Sequence, residues 1–247
     1  MTEARASSGE PRGTLGTVRN AVLLLDLLTD GPAFQQLTDL ADRSGLSIPT
    51  VHRLLRSLVL ADLVEQDSRS SRYSLGPEVT RLSQRYLGRL PILGALSPYL
   101  VSLRDTLRAT VHVAVLVRES VVYVDRVDAG DGGPYRESHR VGEALSTASG
   151  RLLAARANDE TWQRCVDGYR GSFADTPQTL RKEWANVDHL VSPERDEVAV
   201  PVLDATGTPV SSLAASLAAD TDPATIATMV QHLARAASAA GRTLGHA

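Results

Sequence analysis

Apolar residues in the first third of the chain recur with the period of an α-helix. Residues 17–29 predict one helix, which ends at the terminator sequence of residues 30–32. Its apolar face is predicted to consist of Val18, Ala21, Val22, Leu25 and Leu28. Residues 40–63 predict a short helix, a glycine turn and a longer helix. The pattern therefore predicts three helices before residue 64.

The turn before the third helix carries residues suited to it. Gly45 stands where a sharp turn needs a positive φ, Ser47 is placed to cap the helix through its side chain, and Pro49 falls in the first turn. One side of the helix gathers Val51, Leu54, Leu55 and Leu58. The other side carries Thr50, His52, Arg53, Arg56 and Ser57. This arrangement is typical of a helix-turn-helix, whose second helix enters the major groove of DNA, and a solvated surface helix is the alternative.

Two short strand-like runs follow the third helix. Residues 63–66 and 72–75 flank the polar residues 67–71 and predict a hairpin with a basic tip. Three helices followed by such a hairpin predict a winged helix-turn-helix. Pro77 then opens an amphipathic helix that carries Arg81, Arg85 and Arg89 on one side. These arginines either meet phosphates or form a solvated face.

The second half of the chain changes from helical to extended patterning. Pro91 interrupts the preceding helix, and residues 92–107 predict a new one with leucines at spacings that suit core packing or a helix partner. Hairpins are predicted at residues 110–117 with 121–127 and at residues 197–203 with 209–217. Helices are predicted at residues 151–157, 160–166 and 180–189 and after the cap residue Asp222. The order predicts an α+β domain with an antiparallel sheet.

Charge is distributed unevenly along the 247 residues. The formal net charge of −3 argues against indiscriminate nucleic-acid binding, yet residues 43–89 hold eight arginines against four acidic residues. Cys165 is the only cysteine, which excludes an internal disulfide framework and indicates a buried or inert thiol. The polar N-terminus has no signal-like core, and no apolar run approaches membrane-spanning length. We therefore expect a cytoplasmic protein without a membrane partner.

Four segments carry a family-specific pattern when taken in order. They are residues 50–55 in the third helix, 73–76 at the end of the wing, and 147–154 and 200–204 in the second half. In these segments the chain resembles the IclR family of bacterial transcriptional regulators over nearly its whole length. The resemblance implies an N-terminal winged helix-turn-helix joined by a linker helix to a C-terminal GAF-like antiparallel sheet domain flanked by helices. Departures fall in the second domain, where Arg151 replaces the usual lysine and residues 189–197 are shortened.

The resemblance implies that the first domain binds a pseudo-palindromic operator in double-stranded DNA. Arg53 is expected to make the decisive contact, because a guanidinium binds guanine or phosphate through two donors. The alternative for Arg53 is a surface salt bridge to Asp62 or Glu65. The alternative for His52 is that its side chain packs against the protein instead of contacting DNA. The residues predicted to contact DNA are Arg19, Ser47, Pro49, Thr50, His52, Arg53, Arg56, Arg72 and Tyr73.

The resemblance also implies that the second domain binds a small organic effector, which we expect to be acidic or aromatic. Ser146, Thr147 and Ser149 precede a predicted helix, whose free amides and dipole favour a carboxylate. Ordinary N-capping by Ser149 is the alternative. The residues predicted to contact the effector are His112, Arg126, Ser146, Thr147, Ala148, Ser149, Gly150, Asp196 and Ser216. Strand alternation does not decide which face of the sheet carries His112 and Arg126.

Four regions are therefore expected. They are a disordered tail at residues 1–13, the winged helix-turn-helix at 14–76, the linker helix at 77–91, and an effector-binding and oligomerisation domain at 92–247. We expect a ligand-responsive transcriptional regulator, and a repressor in particular, because repression is the more common output in such families. We expect it to form a homodimer or homotetramer and to need no cofactor. A second domain that only oligomerises is the alternative.

Catalysis is not expected from this sequence. Ser146, Ser149, His112 and His139 coexist with several carboxylates, but nothing places them as nucleophile, base and orienting group. The sequence contains no phosphate-binding loop, paired zinc motif or nucleophile elbow. We therefore predict neither a catalytic residue nor a metal site.

Overall fold

A computed structural model describes residues 14–129, 141–192, 196–218 and 220–245 of the chain. The chain divides into two compact units, Met1–Gly88 and Arg89–Ala247. The predicted tail at residues 1–13 and His139 lie outside the described residues.

In the described part of the first unit, helices precede and follow one antiparallel hairpin. The elements are α1 Thr14–Thr29, α2 Leu37–Ser44, α3 Ile48–Leu60, β1 Val64–Gln66, β2 Tyr73–Leu75 and α4 Pro77–Leu87. In the hairpin, Val64 lies opposite Leu75 and Gln66 opposite Tyr73. The predicted winged helix-turn-helix is confirmed. The helix that begins at Pro77 ends at Leu87, earlier than the predicted residue 91.

The core of the first unit is built where its three leading helices meet. Leu24, Leu40 and Leu55 are fully buried there, together with side chains from the hairpin. The predicted apolar face of α1 is partly wrong, because Val18 and Val22 are 63% and 42% exposed. Residues 21–25 are all apolar, so the local pattern permits more than one inward face, and packing against α2 and α3 selects the one with Leu24.

The turn before α3 confirms two of its three predicted features. Gly45 ends α2 with a φ of 68°, a conformation that favours glycine, and Pro49 lies in the first turn of α3. Ser47 occupies the N-cap position, but its side chain makes no capping bond to the backbone. Its Oγ lies 2.8 Å from Thr50 Oγ1 instead. The predicted side-chain cap is therefore wrong.

In the described part of the second unit, helices cover a six-stranded antiparallel sheet. The elements are α5 Pro91–Leu107, β3 Val111–Val117, β4 Ser120–Val127, β5 Val141–Glu143, a 3-10 turn Ala144–Ser146, α6 Ala148–Ala155, α7 Asp159–Gly168, α8 Pro177–Asn186, β6 Leu190–Val191, β7 Glu197–Leu203, β8 Pro209–Ser216 and α9 Pro223–Leu244. The strand order is β5-β4-β3-β8-β7-β6. Both predicted hairpins and the α+β fold class are confirmed. The α6 helix begins at Ala148, three residues before the predicted start.

The two faces of this sheet are buried by different helices. On the first face, alternate residues such as Val113 and Leu213 pack with α5 and α9. On the second face, Ala199 and Ala214 pack with Ala148 and Leu152 of α6. We call this second side of the sheet the α6 face. His112 lies on the α6 face, because it pairs directly with Ala214 across neighbouring strands.

Candidate nucleic-acid interface and ligand pocket

The α3 helix turns its predicted basic face to solvent. His52, Arg53 and Arg56 are exposed, while Val51 and Leu55 on the opposite side are fully buried. Pro49 is also exposed, and Thr50 is half-buried. The apolar face thus anchors the helix, and the donors and cations that can meet bases or phosphates project outward.

The guanidinium of Arg53 has no ion-pair or hydrogen-bond partner among the described residues, although its carbonyl accepts a hydrogen bond from Ser57 Oγ at 3.0 Å. Their ion pairs do not include Arg53, and Glu65, one of its two suggested partners, accepts a hydrogen bond from Ser74 Oγ at 2.9 Å. The alternative interpretation of Arg53 as a surface salt bridge is therefore not borne out by this structure. Arg19 and Arg72 are exposed as well.

Tyr73 is the exception among the predicted DNA-contacting residues. Its side chain is 4% exposed and packs in the core of the first unit. Its backbone amide and carbonyl exchange hydrogen bonds with Gln35 at 2.8 and 2.9 Å. The prediction that the Tyr73 side chain contacts DNA is wrong, because the pleat of β2 turns it inward.

Two of the arginines in the basic segment have structural partners. Arg43 donates to Gln35 Oε1 at 2.6 Å and to the Asp30 carbonyl at 2.8 Å, while Gln35 Nε2 donates to the Leu27 carbonyl at the end of α1. Arg81 forms an ion pair with Glu78, which lowers the pKa of Glu78. The charge surplus counted along the sequence is therefore only partly available to a polyanion.

The second unit contains a cavity of about 340 Å³ beside the N-terminus of α6. Its described lining comes from β4, β5, the 3-10 turn and the segment that leads into β7. The residues are Tyr123, Val141, Gly142, Ser146, Thr147, Ser192, Asp196 and Glu197. A volume of this size suits a small organic molecule.

Glu197 is a buried carboxylate that joins two sides of this pocket. Its Oε1 accepts hydrogen bonds from the Ser149 amide at 2.9 Å and from Ser149 Oγ at 3.0 Å. Its Oε2 accepts a hydrogen bond from the Tyr123 hydroxyl at 2.7 Å. Burial raises the pKa of Glu197, and the bonds from Ser149 and Tyr123 oppose that shift. Burial and the neighbouring Glu197 also raise the pKa of Tyr123, which keeps its hydroxyl protonated as a donor.

Two amides at the N-terminus of α6 bind groups within the protein, contrary to both interpretations of the sequence. Thr147 is the N-cap, and its Oγ1 accepts the Gly150 amide at 2.9 Å. The Ser149 amide, predicted to bind an effector carboxylate, binds the carboxylate of Glu197 instead. Ala148 and Ser149 are fully buried and Gly150 is buried, so these three residues support the pocket from behind. All three lie outside the described lining.

The structure places the other predicted effector residues in two groups. Ser146, Thr147 and Asp196 line the pocket. His112 packs edge-on against Tyr123 with ring centroids 5.3 Å apart, and burial lowers its pKa to about 4. Arg126 pairs with Asp128, and Ser216 Oγ accepts the Thr110 amide at 3.0 Å. These last three lie outside the described lining.

Sequence reasoning did not select the pocket residues Tyr123 and Ser192, and of the adjacent acidic pair it predicted an effector contact for Asp196 but not for Glu197. The one local signal was Glu197 itself, an ionisable residue that opens the otherwise apolar strand β7. A carboxylate at such a position needs donors when it is buried. The identity of those donors depends on residues far away in sequence, since Ser149 and Glu197 are 48 positions apart.

Three further features concern the thiol, the metal-ligating side chains and the length and hydropathy of the helices. Cys165 is buried, and burial raises its pKa to about 11, as expected for an inert thiol. Among the described residues, no group of three or more His, Cys, Asp or Glu side chains is arranged to hold a metal ion. No helix in that part of the chain is long and apolar enough to cross a membrane.

Two models of known families match the chain. The IclR helix-turn-helix domain matches residues 17–68. The model described as bacterial transcriptional regulator IclR C-terminal matches residues 84–190. Together the two matches cover more than half of the 247 residues.

Individual proteins show the same similarity along almost their entire length. The HTH-type transcriptional regulator XynR of Escherichia coli (strain K12) is 27% identical over 93% of this chain and 97% of its own. The IclR transcriptional regulator of Alicyclobacillus acidocaldarius has a TM-score of 0.74 and 23% identity, with coverage of 94% of this chain and 100% of that one. An IclR homologue from Microbacterium hydrocarbonoxydans, solved with 4-hydroxybenzoate, has a TM-score of 0.68 and 20% identity, with the same two coverages. Because both halves of the chain match models of one family, the chain belongs to the IclR family of bacterial transcriptional regulators.

Proposed function

We propose that this regulator represses transcription from a pseudo-palindromic operator and is controlled by a small organic molecule bound in the pocket of its second unit. The observation that carries the first part is the α3 helix, whose apolar side is buried while His52, Arg53 and Arg56 face solvent. The cavity beside α6 supports the second part. It favours ligand sensing over the alternative in which the second unit only oligomerises.

We further propose that the active form is a homodimer or a dimer of dimers. A pseudo-palindromic operator requires two symmetry-related recognition helices. The helix α4, part of the proposed linker at residues 77–91, has no buried residue, and its Leu82 and Tyr86 are 48% and 57% exposed. An effector controls such a protein only by binding one arrangement of the DNA-binding domains better than another.

Selection of DNA by the purified protein tests the operator proposal. Duplexes retained from a randomised pool are expected to contain an inverted repeat with half-sites about one helical turn apart. Affinity for the selected duplex is expected to fall steeply with salt as phosphate counterions are released. Retention that is independent of sequence would contradict the proposal.

Thermal melting with a panel of small acids, alcohols, amines and aromatic compounds tests the sensing proposal. A ligand present at about 100 times its Kd is expected to stabilise the protein by about 2.7 kcal/mol. The pocket-filling variant Ser146→Phe is expected to lose this stabilisation while it retains the operator affinity of the unmodified protein. Equal stabilisation of both proteins would place the ligand elsewhere.

The buried position of Tyr73 leads to a separate prediction. Tyr73→Phe is expected to change operator affinity less than about twofold, because the ring stays in the core and the side chain is only 4% exposed. The control is Arg72→Ala, which removes an exposed cation from the neighbouring position and is expected to weaken binding and lower its salt dependence. Gel-shift titrations at matched salt measure both. A large loss from Tyr73→Phe alone would mean that the ring leaves the core when DNA binds.

A further inference from the structure

The side chains in the described lining of the pocket present hydrogen-bond acceptors rather than donors. Each hydroxyl group in its described lining donates its hydrogen to another part of the protein. The pairs are Tyr123 to Glu197 Oε2 at 2.7 Å, Ser146 to the Glu143 carbonyl at 2.8 Å, Thr147 to the Ala144 carbonyl at 3.5 Å and Ser192 to Asp196 Oδ1 at 2.5 Å. A hydroxyl has one hydrogen and two lone pairs, so Tyr123 and Ser146 retain lone pairs for a ligand. Thr147 retains one, because its Oγ1 also accepts the Gly150 amide, and Ser192 retains none, because its Oγ also accepts the Asp196 and Glu197 amides.

The two acidic residues of the lining add to this acceptor character. Oε2 of Glu197 accepts one described hydrogen bond, and the only described bond to the Asp196 carboxylate goes to Oδ1. An ionised carboxylate has about four acceptor positions, so both residues keep capacity for further donors. The described lining contains no Lys or Arg that would neutralise them.

Glu197 also occupies one of the donors that an acidic ligand would use. The amide of Ser149 at the N-terminus of α6 already binds the Glu197 carboxylate, and the Gly150 amide binds Thr147. A ligand carboxylate in this cavity would therefore meet two acidic residues, and the Ser149 and Gly150 amides would not be available to it. Like charges placed together in an interface oppose binding.

On the basis of the proposed ligand-responsive function, we propose that Asp196 and Glu197 determine the ligand class, and that the pocket selects a small molecule which donates hydrogen bonds and carries no negative charge. Hydroxyl and ammonium groups fit this description, whereas carboxylates and phosphates do not. Glu197 supplies from within the chain the carboxylate that the helix end binds.

Matched probes that differ only in the head group test this inference. One set is 4-hydroxybenzyl alcohol, 4-hydroxybenzylamine and 4-hydroxybenzoate, and the other is sorbitol and gluconate. Binding to the full-length protein is measured by calorimetry and by thermal melting at one fixed, mildly alkaline pH. In at least one set, the alcohol or the amine is expected to bind at least about tenfold more tightly than the acid.

Two variants then test whether Asp196 and Glu197 cause the preference for the alcohol or amine over the acid. Asp196→Asn changes an exposed residue, and Glu197→Gln keeps the shape of the buried one while it replaces one acceptor oxygen with a donor. Each is expected to reduce the preference against the acid by about tenfold. The matched control Glu183→Gln, at an exposed position of α8 outside the lining, is expected to leave the preference unchanged. If Glu197→Gln fails to fold, Asp196→Asn alone still tests the assignment.

The outcomes separate the inference from the proposed function. Acids that bind the unmodified protein as tightly as their alcohols, or a preference that both variants leave intact, would overturn the inference and leave a ligand-responsive regulator. A panel in which no probe binds any of the proteins would contradict both the inference and the proposed pocket.

Discussion

Replacement of Gly150 by alanine is expected to lower the free energy of unfolding of the second unit by about 3 kcal/mol or more. A Cβ at this position would lie 2.1 Å from the Ala144 carbonyl oxygen and 2.6 Å from the Ala144 Cα. These are backbone atoms of a buried turn, so no side-chain rotation can relieve the clash. Relief requires α6 to move away from the turn, and that movement disturbs the pocket lining at Ser146 and Thr147.

The chain offers a direct readout and a matched control for this prediction. Its only two tryptophans, Trp162 and Trp184, lie in the second unit and are buried, so urea unfolding followed by tryptophan fluorescence reports on that unit in the full-length protein. Gly94→Ala makes the same chemical change on an exposed position of α5, where the added Cβ meets no atom within 4 Å. It is expected to stabilise by up to about 1 kcal/mol. A Gly150→Ala variant as stable as Gly94→Ala would contradict this prediction, because it would show that the turn moves aside at little cost in free energy.

Arg53→Ala is expected to weaken operator binding by roughly 1 to 3 kcal/mol, which is about five- to 150-fold, without loss of folding. Arg53 is exposed on the outward face of α3 and has no ion pair among the described residues, so its removal leaves no buried group unsatisfied. The packed side of α3, with Leu55 fully buried, is unchanged. Gel-shift titrations against the selected duplex measure the loss.

The form of the loss distinguishes a base contact from a phosphate contact. If Arg53 binds a guanine edge, affinity falls for the operator and the preference at one base position relaxes. If it binds a phosphate, affinity falls for all sequences and the salt dependence decreases by about one counterion. The control Arg235→Ala removes the same charge from an exposed position of α9 and is expected to have no effect at matched salt. Equal affinities for Arg53→Ala and the unmodified protein would refute the role of Arg53.

Local chemistry made most of the first unit predictable. The Gly45 turn, the Pro49 helix start and the hairpin at residues 64–75 each depend on residues close together in sequence, and all are present. The errors arise where distant segments compete for one side chain. The family resemblance assigned Tyr73 to DNA together with Arg72, but the Tyr73 ring packs in the core beneath the hairpin.

In the second unit, the sequence by itself determined the two hairpins, the helices and the position of a hydroxyl-rich segment before α6, but not the short edge strands β5 and β6. Only the tertiary structure decided which groups meet at the pocket. Strand alternation defines two sides for His112, and its pairing with Ala214 across the sheet assigns it to the α6 face. The segment before α6 suggested an anion site. In the folded protein, strand β7 places the Glu197 carboxylate against the Ser149 amide, although the two residues are 48 positions apart in sequence. Periodicity describes only neighbours along the chain, whereas the choice between a bound carboxylate and an internal one depends on how separate strands pack.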